Sequence, residues 1–303
     1  MEPGAVIRRL APAAIFAFVL LVLWVLNGSR LELGTNDEGI YLDGAQRLVR
    51  GEKLYLDFFG YMSPGSYWAQ EAFFRVFGVT RRAGRLPVLV YFAAQCSLLY
   101  WITARLASPA AGLAVVFFYF AFQTAASSFL TAQHRWDSAT LSLGAIALWM
   151  NGFERRRASW FAGAGVLLGM AVFVTPSMAY LCAAGAVFLL ATREMRRFFL
   201  AYAAGGAAAA ALAGGALAAG GIFGAFVDQM FWLSKNYATA NRMSYGSVIG
   251  GYPALFEDAS GGELAVRAGV VACVALPAIL PILSLGWLRL WRRLDRERSL
   301  ILY

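Results

Sequence analysis

Two adjacent carboxylates, Asp37 and Glu38, open the stretch "DEGIYLDGAQRLVRGEKLY", and a third, Asp137, stands in "AQHRWDSATL". A carboxylate held beside a hydroxyl can take its proton, so these residues are candidates for general-base work. Other chemistries are poorly provided for. His134 is the only histidine in 303 residues, and Cys96, Cys182 and Cys273 lie far apart inside apolar runs. A zinc site or a Ser–His–Asp arrangement needs more than that, and the cysteines read as thiols packed within helices. Any chemistry here falls to the carboxylates.

Each of these groups has a structural alternative. Thr35-Asn36-Asp37-Glu38 has the T-x-x-E spacing of a capping box, which gives Glu38 a duty as cap partner that a glutamine would largely keep. Asp37 falls in the first helical turn, where the helix dipole favours an anion. The box does not need Asp37, so a stabilising role and a catalytic role are both open to it. Asp137 either works in a site or staples its loop through a salt bridge to Arg135. His134 is a hydrogen-bonded loop residue or a phosphate contact.

The elements that must position these groups are legible. Tyr41, Ala45 and Leu48 are spaced four and three apart, with Asp43, Gln46, Arg47 and Arg50 on the opposite side and Gly51 as a stop. That pattern predicts a short amphipathic helix lying on a membrane surface. Ser63-Pro64-Gly65 forces a turn before a second short helix, Tyr67–Phe77. Tyr61, Tyr67 and Trp68 are either interfacial anchors or the aromatic wall of a binding site; for Trp68 the anchor is preferred, and for Tyr61 both are open.

The membrane itself is written in the composition. Hydrophobic residues make up 60% of the chain and charged ones 14%, and the mean hydropathy is +0.61. This excludes an ordinary soluble domain. A net charge of +9 is compatible with nucleic acid binding, but the basic residues sit in short runs between apolar segments, as cytoplasmic membrane loops do. Nucleic acid is therefore set aside.

Segments of roughly 20 apolar residues are needed to span. Leu10–Leu26, Leu86–Leu106, Ala110–Leu130, Ala139–Met150, Phe198–Phe223 and Val266–Leu288 are taken as spans. Trp160–Leu190 is too long for one and is broken at Thr175-Pro176, so it is predicted to form a hairpin of two short helices. The total is about eight. Arg8/Arg9, Arg105, Glu154–Arg157, Arg193–Arg197 and Arg289–Arg298 then share the cytoplasmic side. Residues 28–85, Thr131–Ser138 and Gly224–Ala265 fall outside. The first span is read as an uncleaved anchor, and the closing "SLILY" as the start of a further span. Gly165/Gly169 and Gly220/Gly224 have the G-x-x-x-G spacing of closely packed helices, read as packing within the chain.

In this order and topology, the acid pair after the first span, the aromatic/Pro/Gly segment, "RLPVLV" opening the next span and the "FAGAGVLLGMAVFVTPSMAYL" hairpin resemble the C-type-fold membrane glycosyltransferases. The resemblance is to the group of protein mannosyltransferases and lipid A aminoarabinose transferases, over about the first two thirds of the chain. It implies an all-α polytopic protein, residues 1–303 forming one transmembrane domain without the later spans, with the site in the outer loop 28–85. It implies transfer of a sugar from a polyprenyl phosphate to a lipid, glycan or protein acceptor on the outer face, with inversion and without a cofactor. Asp37 matches the family's base, Tyr41 a tyrosine one turn later, and Asp137 a second acid. Ser63 stands where relatives often carry a phosphate-binding lysine, which moves that duty to Arg135, Lys235 or Arg242.

Two other classes remain open on the sequence. A flippase or transporter would place polar groups near the bilayer midplane, where only Gln95 and Gln123 are conspicuous. A non-catalytic subunit of a glycan-assembly complex is the other. Of the 26 basic residues only Lys53 and Lys235 are lysines, a bias that points to a GC-rich bacterial genome and thus to the plasma membrane.

Overall fold

The computed structural model describes residues 3–27, 36–60, 62–125, 131–132, 134–240, 260–265 and 267–269, with backbone alone at several segment ends, positions 36 and 37 among them. Every regular element described is helical. In chain order these are α1 (Pro3–Asn27), α2 (Asn36–Val49), α3 (Pro64–Phe77), α4 (Arg81–Leu106), α5 (Pro109–Ala125), α6 (His134–Arg155), α7 (Ala158–Val174), α8 (Ala179–Ala191), α9 (Phe199–Ala219) and α10 (Phe223–Ala240). Two of them are long and apolar enough to cross a membrane, within Arg81–Leu106 and Arg196–Ala219. Leu10–Leu26, Pro109–Thr124, Ala158–Val174 and Pro176–Ala191 are apolar but shorter. The expected span Val266–Leu288 lies almost wholly outside the described residues. The chain divides into two compact units, Met1–Met230 and Phe231–Tyr303, and the candidate site lies in the first.

The first unit is held by helix pairs: α1 and α5 on α4, α4 on α6, α6 on α7, and α7 on α9. The α7–α9 contact rests on glycine. A Cβ on Gly165 would lie 2.1 Å from Tyr202 O, and one on Gly205 would lie 2.0 Å from Ala162 O, so the backbones touch directly. The Gly165/Gly169 motif thus packs within the chain, as expected. Gly224 has nothing in range of an added Cβ.

The hairpin also forms as expected. Thr175 ends α7 with extended backbone, Pro176–Met178 makes a short 3-10 turn, and α8 returns. The return brings Arg156 within 3.5 Å of Glu194, while Arg105 pairs with Glu154 and with Asn151 at 3.1 Å. Three of the basic loops assigned to one side therefore meet at one end of the bundle. Arg85, at the other end of α4, is about 30 Å away along the helix at 1.5 Å per residue, the thickness of a hydrocarbon core.

Three expectations need correction. The apolar face of α2 exists as drawn, with Tyr41, Ala45 and Leu48 at 4%, 0% and 8% exposure. It covers protein rather than lipid: Ala45 clusters with Phe74 and Ala83, and Gly44 abuts the Tyr67 ring. Amphipathicity reports that a face is buried, not against what. Second, α6 is a full 22-residue helix beginning at His134, longer than Ala139–Met150. Its polar first turn is satisfied internally, the Ser138 hydroxyl donating to His134 O at 2.9 Å. Third, the apolar run of α9 ends at Gly220-Gly221, where Gly221 adopts φ +69°, and α10 fills the start of the expected outer loop.

Candidate active site

Helices α2, α3 and α4 and the first turn of α6 converge on a cleft lined by Tyr41, Ser66, Gln70, Tyr91, Ala132 and Asp137, among others. The cleft is small and open at its mouth. The sequence explains the convergence. Pro64 starts α3 at a position that needs no N–H. Gly65 lets that first turn press on the end of α7, since a Cβ there would lie 2.7 Å from Val174 Cγ2. Ser66 and Gln70, four residues apart, then share one face of α3.

Asp137 is 5% exposed. The Ser66 hydroxyl donates to its Oδ2 at 2.6 Å and the Ser138 amide to its Oδ1 at 2.8 Å. Burial pushes its carboxyl up to about 7, against the lowering effect of those hydrogen bonds. Near neutral pH the group is thus divided between acid and carboxylate, able to give or accept a proton. Arg135 is exposed and makes no ion pair with it, so the stapling salt bridge considered above is replaced by Ser66.

Glu38 is fully buried. Arg85 Nε donates to its Oε1 at 3.1 Å and Arg85 Nη2 to its Oε2 at 3.2 Å, while the Ala132 amide reaches Oε1 at 3.3 Å. One carboxylate ties together α2, the head of α4 and the loop before α6. Thr35, its expected capping partner, lies outside the described residues.

Asp37 is placed by its backbone in the first turn of α2, one helical turn ahead of Tyr41. Tyr41 lines the cleft, with ring centroids 5.3 Å from Tyr67 and 6.1 Å from His134. His134 Nδ1 lies 2.9 Å from Thr175 Oγ1, and the Thr175 hydroxyl donates to His134 O at 3.2 Å, so the hairpin break anchors the start of α6. Ser63, named above as the departure from the resemblance, is buried at the N-cap of α3. Lys235 is exposed on the part of α10 that belongs to the second unit. Tyr61 and Arg242 lie outside the described residues.

Ser66, Gln70, Tyr91 and Arg85 were not singled out from the sequence. The i, i+4 pair of small polar residues in "SYWAQEAFF" was the available signal. Gln95, conspicuous in the sequence, is closed upon the protein. Its amide donates to Trp136 O at 2.8 Å and Thr140 Oγ1 at 3.0 Å, and it accepts from the Tyr119 hydroxyl.

Residues 62–216, from just before α3 into α9, match the family model described as dolichyl-phosphate-mannose-protein mannosyltransferase. The match includes Ser66, Gln70, His134, Asp137 and Thr175, and Asp37 and Glu38 precede it. A search of curated proteins and a search of solved structures returned no match. With half of its length in that match, the chain belongs to the dolichyl-phosphate-mannose-protein mannosyltransferase family of membrane glycosyltransferases.

Proposed function

We propose that the protein transfers a sugar from a polyprenyl-phosphate donor to a lipid, glycan or protein acceptor at the outer face of a bacterial plasma membrane, with inversion at the anomeric carbon. In this reading the chain is multi-pass, with about eight spans, and residues 28–85 lie on the outer side. The observation that carries it is the cleft: in a chain of this family, a buried acid held by Ser66 and a tyrosine one turn after Asp37 line one opening, remote from the basic loops.

The Asp37 carboxylate takes the acceptor hydroxyl proton while that oxygen forms a bond to the anomeric carbon. The carbon–oxygen bond to phosphate breaks on the opposite face, and its electron pair leaves with the polyprenyl phosphate. Phosphate leaves readily as an anion, so the main need is a cation to stabilise it, and a guanidinium such as that of Arg135 matches its geometry. Asp137 orients the acceptor or the groups around Asp37. The satisfied hydrogen bonds of Gln95 weigh against a midplane binding site and hence against transport.

The test is transfer by purified protein from undecaprenyl phosphate carrying a labelled sugar, run with wild type and Asp37→Asn. Release of undecaprenyl phosphate by the wild type alone supports the reading. Movement of the intact lipid across vesicles without cleavage would replace it with transport, and neither activity would leave a scaffolding subunit.

A further inference from the structure

Gln70 is 5% exposed and lines the cleft beside Asp137, Ser66 and Tyr41. Its Nε2 has no hydrogen-bond partner among the described residues. A buried amide donor without a partner is costly, and folded chains rarely keep one unless something outside the chain completes it. Nothing in the packing demands an amide at this place. Ala69 and Val88 also line the cleft, and an apolar side chain of similar length, such as methionine, would cover them without leaving a polar group unsatisfied.

The lining also says what kind of group would complete it. No lysine or arginine is among the lining residues, and Asp137 repels an anion whenever it is ionised. A phosphate is therefore a poor occupant. Gln70 offers an N–H, while the Asp137 carboxylate accepts; flipped about its amide, Gln70 offers an acceptor instead. A hydroxyl both donates and accepts, so it satisfies either arrangement, whereas a carbonyl or an ammonium satisfies only one side. The rings of Tyr41 and Tyr91 add flat apolar walls. Neutral hydroxyls flanked by apolar C–H surface are the chemistry of a sugar ring.

We infer that Gln70 and the Ser66–Asp137 pair form a subsite for the hydroxyl edge of the transferred sugar, distinct from the groups that hold the donor phosphate. The inference rests on the glycosyl-transfer reading above. Gln70 then reads which sugar the donor carries, and it does so from α3, away from the proton transfer at Asp37.

The experiment compares Gln70→Met with wild type for binding of two probes: bare undecaprenyl phosphate, and the best bound of a panel of undecaprenyl-phosphate hexoses and pentoses. In the wild type the sugar should add affinity. Gln70→Met should be at least as heat-stable as wild type, bind bare undecaprenyl phosphate equally, and bind the sugar-bearing lipid about threefold to tenfold more weakly, the scale of one neutral hydrogen bond. Gln70→Glu should restore part of the sugar increment. If Gln70→Met keeps the whole sugar increment, or if both lipids weaken together, the subsite is overturned while the glycosyl-transfer reading stands. If in the wild type no sugar of the panel adds affinity and none is transferred, both are overturned.

Discussion

Arg85 and Glu38 face each other in two parallel hydrogen bonds, at 3.1 and 3.2 Å, with the glutamate fully buried and the arginine side chain 14% exposed. The pair gives a basic residue near the start of α4 its reason: Arg85 neutralises a buried acid. It also changes the role of Glu38 from one end of a helix cap to a tie between three segments.

Glu38→Gln is therefore expected to be damaging through stability, where capping alone made it mild. Removing one partner of a buried pair leaves the other charge uncompensated, at a cost of about 3–5 kcal/mol. Thermal unfolding in detergent should show a marked drop in Tm, and Arg85→Met paired with Glu38→Leu should recover much of it. An unchanged Tm in Glu38→Gln, together with lost turnover, would move Glu38 into the chemistry.

Donor phosphate should be held by at least one of Arg135, Lys235 and Arg242, because Ser63 supplies no charge. Arg135 shares the first turn of α6 with His134 and Asp137, so it is expected to matter most. Arg135→Ala should weaken binding of undecaprenyl phosphate about tenfold to a hundredfold, the scale of a charged hydrogen bond. Wild-type affinity in all three alanine variants would put the phosphate elsewhere.

Asp137 gives the fold a pH dependence whose sign can be worked out. Burial raises its folded pKa from 3.8 to about 7, so the unfolded chain ionises first as pH rises. Its contribution is thus most favourable below about pH 4 and is lost progressively until about pH 7. Asp137→Asn keeps one of the two acceptors that Ser66 and the Ser138 amide use, a loss that does not vary with pH, and it removes the titration. The Tm difference between the variant and wild type should grow in the variant's favour from pH 4 to pH 7 and then level off. A constant difference would mean that Asp137 ionises normally.

The α7–α9 contact should not tolerate a single methyl. Gly205→Ala would force a Cβ toward Ala162 O, and overpacking of this kind costs about 1–3 kcal/mol. Gly215→Ala, where nothing lies within 4 Å, should be neutral or slightly stabilising. Equal Tm values for the two variants would show that the helices part freely.

Local signals were legible and long-range ones were not. The stop at Gly51, the break at Thr175-Pro176 and the buried face of α2 follow from residue type and spacing over a few positions. The Ser66–Asp137 bond joins residues 71 apart and Glu38–Arg85 residues 47 apart. In sequence, Ser66 is one more small residue among aromatics, and Arg85 looks like a basic flank of a span. Both acquire their meaning only when α3 meets α6 and α2 meets α4. His134 and Thr175 are the middle case, since each was noticed for its own sake and only the fold pairs them.

The decisive prediction separates the two neighbouring acids. Asp37→Asn should unfold close to wild type, because losing one charge from a first helical turn costs at most about 1 kcal/mol, and it should bind undecaprenyl phosphate normally. Its turnover should fall about 10²–10⁴-fold, the usual contribution of a positioned general base, because the amide cannot take the acceptor's proton. The helix dipole at the first turn of α2 works against this role, since it stabilises the anion and lowers its basicity. A weak base suffices if proton transfer is late, when the bond to phosphate is already breaking and the acceptor oxygen has become acidic. The pH–rate profile then carries the proof. On acidification the wild type should lose activity in two steps, one near pH 7 from Asp137 and one at lower pH, and the residual rate of Asp37→Asn should lack the lower one. An Asp37→Asn variant with normal turnover would take the base away from this helix altogether.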